Sequence, residues 1–169
     1  MEGKYTALDV ADFFVGLANS LPNSSIDNLK LNKLCYYAQG WSLAKFDRPL
    51  FNDTIEAWEY GPVIPSVYHT YKVCGNNPIS EPSEVFDEAQ LDSDELSLLI
   101  DVYLTYGKYA SWELASMTHE QGAPWHEVFI RGANRSIPLK SIQEYFRAHE
   151  QLVSLKPVLT KENTIEYGA

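Results

Sequence analysis

Thirteen consecutive residues, Leu29-Lys-Leu-Asn-Lys-Leu-Cys-Tyr-Tyr-Ala-Gln-Gly-Trp41, put apolar or aromatic side chains on almost every side of a helix, interrupted only by Lys30, Asn32, Lys33 and Gln39. A helix that is apolar nearly all round cannot lie on a surface; other elements have to surround it. That requirement favours a mainly α-helical fold built around one central helix. Asn32, Tyr36 and Gln39 fall at i, i+4 and i+7 and so share a stripe. Each of these polar groups needs a partner, because an unpaired buried amide costs about 1–3 kcal/mol. The stripe is a polar seam in a core helix, serving either to specify the fold or to build a site. Lys33 lies beside it, where its amine is expected to reach solvent by extending its stem.

The chain has 169 residues, enough for one core that buries about 70% of the unfolded surface. Its 45% apolar and 13% aromatic content, with eleven Tyr and four Trp, marks a folded globule whose aromatic tips need hydrogen bonds. The expected organisation is one helical domain over residues 1–155 and a flexible tail over 156–169. No apolar run reaches membrane-spanning length, and the first residues lack the apolar stretch of a signal peptide. Cys35 and Cys74 are too few for a disulfide scaffold, which fits a cytoplasmic protein. A net charge of -10 tells against nucleic acid as a partner. Between Lys72 and Lys108 there is no Lys or Arg, while Glu81, Glu84, Asp87, Glu88, Asp92, Asp94, Glu95 and Asp101 accumulate. Such a run either solvates the surface or draws in a basic partner.

Punctuation places about six to seven helices and a small β element. Thr6 and Asp9 form a capping box for a helix from Ala7 to about Ser20, which Pro22 ends. Asp27 caps the central helix, which runs to about Lys45. Phe51 to Tyr60 alternates as a strand, Gly61-Pro62 reads as a turn, and Pro65 opens a short helix ending at Gly75. Residues 75–92 form an acidic surface loop. Ser93 caps a helix to Tyr106 with Leu96, Leu99, Ile100 and Tyr103 facing inward. Ser111 starts a shorter helix to about His119, with Leu114, Ala115 and Met117 inward. Pro124 opens another to Ile130, Ser136 to Pro138 adds a second short strand, and Leu139 to about Leu155 closes the fold.

No catalytic constellation stands out. His119 and His126 are close in sequence, but Gly122 and Pro124 interrupt any His-x-x-x-His helix spacing, and no third ligand lies near, so no metal is expected. His69 and His149 have no evident partner. There is no Gly-x-Ser-x-Gly elbow and no glycine-rich phosphate loop, and no carboxylate pair in an apolar setting is evident. No cofactor is implied.

Three blocks nonetheless occur in a telling order: Leu31-Asn-Lys-Leu-Cys-Tyr-Tyr-Ala-Gln-Gly40; Pro49-Leu-Phe51 followed by Ile55-Glu-Ala-Trp-Glu-Tyr-Gly-Pro-Val63; and Leu114, Thr118-His-Glu120 and Pro124-Trp125. Together they resemble the Panacea domain family, which includes SocA-like antitoxins and GepA-like prophage-associated proteins. The resemblance spans about residues 8 to 148. It implies a mostly helical bacterial or phage protein that neutralises a co-encoded toxin by direct, non-catalytic binding. A homodimer and a toxin-free role on a mobile element remain compatible with it. Carried onto this chain, the family pattern falls on Lys33, Tyr36, Gln39, Tyr60 and His119 as candidate partner-binding residues, and on Trp58, Gly61, Pro62 and Trp125 as structural ones. Both tryptophans are expected to fill the core. The alternative is a hydrolase or transferase that joins the polar seam of the second helix to His119.

Overall fold

A computed structural model of the chain describes residues 2–150. The tail over 156–169, and residues 151–155 at the end of the expected last helix, lie outside the described residues. Seven helices and three short strands follow in the order α1 (Ala7–Ser20), α2 (Asn28–Phe46), β1 (Glu56–Trp58), β2 (Gly61–Val63), α3 (Pro65–Tyr71), α4 (Ser93–Tyr106), α5 (Ser111–Thr118), α6 (Pro124–Val128), β3 (Arg135–Ser136) and α7 (Leu139–Ala148). The fold is mainly α. Fourteen of the nineteen residues of α2 are buried, and α1, α3, α4, α5, α7 and β2 all pack against it. The all-round apolar character of this segment is therefore met by helices on several sides.

Local signals set the helix starts. Thr6 and Asp9 form the reciprocal box of α1, and the Asp27 carboxylate accepts the Lys30 N–H at the start of α2. For α4 the cap is Asp92 rather than Ser93, because Asp92 forms its own box with Glu95. The buried face of α4 is also rotated from the expected one. Leu98, Leu99, Val102, Tyr103 and Tyr106 point inward, while Leu96 and Ile100 are only half-buried.

The sheet differs most from expectation. Its order is β2-β1-β3, antiparallel throughout, with Glu56 opposite Val63 and Ser136. The strand expected over Phe51–Tyr60 shrinks to Glu56–Trp58. At its start, the Leu50 N–H, the Phe51 N–H and the Phe51 carbonyl are already taken by the Gln39 side chain. A backbone so occupied has few groups left for a ladder. The hairpin turns at Glu59-Tyr60, and Gly61-Pro62 lies in the edge strand β2, where proline removes no essential ladder bond.

Further along α2 lies an aromatic cluster. Tyr37 stacks on Tyr106 at 3.8 Å, and the Trp41 N–H donates to the Tyr106 hydroxyl at 2.9 Å. Phe146 of α7 packs edge-on against Tyr36, Tyr37 and Trp41. Gly40 is the seat of that ring: a Cβ there would stand 2.4 Å from it. Gly40→Ala is expected to push α7 off α2 and cost about 1–3 kcal/mol, read as a lowered melting temperature. A melt unchanged from wild type would show that α7 is not held through this ring.

Candidate functional site

Three elements meet beneath the Glu59-Tyr60 hairpin. Lys33, from the second turn of α2, donates from Nζ to the Pro62 carbonyl at 3.0 Å. It is 0% exposed, so the expectation that its amine reaches solvent is wrong. The hairpin lies directly over it. Gly61 has φ +106°, and a Cβ there would stand 2.5 Å from Thr118 Oγ1 and 2.7 Å from Lys33 Cε. Glycine is thus required twice, by conformation and by the closeness of α2 and α5. The third element is fastened to the hairpin by the Trp125 N–H, which donates to the Trp58 carbonyl at 2.6 Å. Trp125 stacks with His119 at 3.7 Å and with Phe129 at 4.4 Å.

Electrostatics at this junction are unusual. Burial pushes the Lys33 ammonium down to about 7, with only Asp27 opposing. His119 is also held below its ordinary value, first by burial, then by Lys33 and His126. Its Nε2 is buried and has no hydrogen-bond partner among the described residues.

Above the junction opens a cleft of about 600 Å³. Its walls are the first turn of α2 (Asn28, Leu29), the hairpin tip (Tyr60), Tyr68 of α3 with Lys72 after it, and α5. On α5 and its C-cap the stripe Trp112, Ala115, Ser116 and His119 follows i, i+3, i+4, i+7 spacing and faces the cleft. Tyr60 is 64% and Trp112 70% exposed, and Val73, beside Lys72, is 92% exposed.

Of the residues singled out in the sequence, the structure brings Lys33, Trp58, Tyr60, Gly61, Pro62, His119 and Trp125 together here. Trp58 is half-buried against Tyr68 and His69 rather than filling the core. Tyr36 and Gln39 lie elsewhere. Tyr36 belongs to the α7 aromatic cluster, and Gln39 binds the chain at Leu50 and Phe51. Asn32 is fully used too, accepting the Ile64 N–H at 3.0 Å and donating to the Asn28 carbonyl at 2.9 Å. The polar seam is thus divided, with both amides held by backbone groups and Tyr36 held by aromatic rings.

Trp112, Tyr68 and Lys72 escaped the sequence reading, although the α5 stripe is present in the residue spacing. Two buried carboxylates escaped as well. Asp12 accepts from the Tyr71 hydroxyl and from Ser83 and Glu84, which pins the acidic loop to α1. Glu95, 1% exposed, accepts from the Tyr5 hydroxyl at 2.7 Å and from Lys4 at 3.0 Å. Both are satisfied within the fold. Among the described residues no group of three or more His, Cys, Asp or Glu could hold a metal ion, and no helix is long and apolar enough to cross a membrane.

Comparison with known proteins bears on the same blocks. Residues 31–126 match the family described as antitoxin SocA-like, Panacea domain. That range takes in the Lys33, hairpin and Trp125 elements of the junction. The chain is 32% identical to Antitoxin SocA of Caulobacter vibrioides (strain NA1000 / CB15N) over 149 residues, which covers 79% of each chain. No solved structure matches it. The chain belongs to the SocA-like antitoxin family that shares the Panacea domain.

Proposed function

We propose that this protein is a cytoplasmic antitoxin that neutralises a co-encoded toxin by direct, non-catalytic binding, and that the cleft over the Lys33 junction anchors the toxin. The observation that carries the reading is the gathering of exposed apolar groups there. Tyr60, Trp112 and Val73 stand in or beside one concavity and leave large apolar faces open to water. Tyrosine and tryptophan in such a setting are the residues that most often dominate binding energy. The enzymatic alternative needed the polar seam of α2 to face His119. Instead, the amides of Asn32 and Gln39 are committed to backbone partners.

Co-expression of this chain with each adjacent gene, followed by a growth assay and pull-down, tests the reading. One neighbour should be toxic alone, tolerated together, and captured as a complex. Replacing both Tyr60 and Trp112 with Ala should weaken that complex at least about thirtyfold, the size of one strong anchor. The melt should barely move, because both side chains are exposed. Adjacent products that are neither toxic nor bound would remove the antitoxin reading.

A further inference from the structure

We propose that the cleft takes an acidic segment of the partner protein, in which an Asp or Glu side chain lies beside an aromatic or aliphatic one. This rests on the antitoxin reading above and names the chemistry of the segment it binds.

The argument is one of charge within a chain whose net charge is -10. Lys72 is the sole Lys, Arg, Asp or Glu that lines the cleft, and among the described residues it makes no ion pair. The other basic residue in the described lining is His119, whose buried Nε2 lacks a partner among the described residues. One layer below, Lys33 Nζ has a single carbonyl acceptor and adds positive potential whenever it is protonated. The carboxylates of the neighbouring elements do not line the cleft. Asp27 accepts from the Lys30 N–H and the Ser111 hydroxyl, Glu113 from the Ala110 N–H, Glu56 from the Trp58 N–H, and Glu59 pairs with Arg131.

The cleft is therefore aromatic-walled, and its one charged residue among the described lining, Lys72, is a cation on an acidic protein. A basic segment would meet the Lys72 ammonium with no carboxylate among the described lining residues to balance it. An acidic one gains an ammonium partner at the wall and flat apolar faces from Tyr60 and Trp112. The exposed acids of the 75–92 loop act on the partner at longer range and do not line the cleft.

Charge reversal at one exposed residue tests this on the purified chain with the partner captured by co-expression. Lys72→Gln should weaken the complex about fivefold and Lys72→Glu about fiftyfold, with the loss shrinking as salt is raised from 50 to 300 mM. Trp112→Ala serves as the reference for the cleft itself. Peptides tiled along the partner and titrated against the free chain should bind only where Asp or Glu sits within about three residues of an apolar side chain, a spacing that one cleft can span. If Trp112→Ala disrupts the complex but Lys72→Glu binds as well as wild type or better, the acidic-segment inference is wrong and the docking reading stands. A complex indifferent to both substitutions places docking elsewhere, and both fall. Binding of basic peptides in preference to acidic ones would also overturn the inference.

Discussion

Gln39→Leu is expected to cost about 3–5 kcal/mol of stability, close to the whole margin of a small domain. The Gln39 side chain is 0% exposed and makes three hydrogen bonds to backbone. Nε2 donates to the Phe51 carbonyl at 2.8 Å, and Oε1 accepts from the Leu50 N–H at 2.7 Å and the Phe51 N–H at 3.3 Å. Leucine has a similar volume, so packing changes little, but three buried backbone groups lose their partners. Those groups cannot turn to water, because Leu50 and Phe51 are themselves 1% and 0% exposed. The segment also positions the N-terminal residues, since the Tyr5 N–H donates to the Leu50 carbonyl at 3.0 Å. Loosening it therefore reaches α1 as well. Gln39→Glu should cost at least as much, because it buries a carboxylate against the Phe51 carbonyl, which can only accept. Urea unfolding measures all three proteins. A Gln39→Leu midpoint within experimental error of wild type would mean that the amide is not a structural clamp, and would reopen α2 as a site.

What could be read ahead of the structure divides by the range of the interaction. The Thr6–Asp9 box, the Asp27 cap and the Pro65 start depend on residues within a turn of one another, and they stand where the sequence put them. Centrality of α2 was legible because a helix apolar on every side has one solution. The hairpin was misplaced by two residues because Gly61-Pro62 carries the usual signature of a turn. In fact that glycine answers to Lys33 and Thr118, which lie 28 and 57 positions away in the chain. Lys33 itself was misread for the same reason: nothing within a helical turn of it announces that a β hairpin will cover its amine. Nothing local marks Asp12 and Glu95 as buried, since their partners Ser83 and Tyr5 are distant in sequence. The three motif blocks were visible as blocks. That they meet at one junction, and that Trp112 and Lys72 complete a cleft above it, depends on packing that no local spacing expresses.

Lys33→Met should raise stability at neutral pH and remove a pH dependence that the wild type carries. An unfolded lysine stays protonated to about pH 10.4. In the fold, burial brings Lys33 down to about 7. Between these values the folded chain holds one proton fewer than the unfolded chain. Stability therefore rises with pH by about 1.4 kcal/mol per unit as the cost of the buried ammonium is relieved. Below about pH 7 that cost is fully present, amounting to about 4–5 kcal/mol at most. Methionine avoids it but leaves the Pro62 carbonyl without its donor, a loss of about 1–3 kcal/mol. The variant should then be more stable by about 2–3 kcal/mol near pH 6.5, with the gap closing by about 2 kcal/mol by pH 8.5. Cys35, whose thiol burial pushes far up, opposes this trend above about pH 8.5 in both proteins and cancels in the comparison. Urea melts of wild type and variant across that range measure the gap. A constant gap would mean that Lys33 does not change its protonation there. Toxin neutralisation by the same variant supplies the other half of the argument. If Lys33→Met is more stable yet neutralises as wild type does, the lysine only fixes the hairpin on α2. If the more stable variant neutralises poorly, the destabilising ammonium beneath the cleft belongs to the binding site.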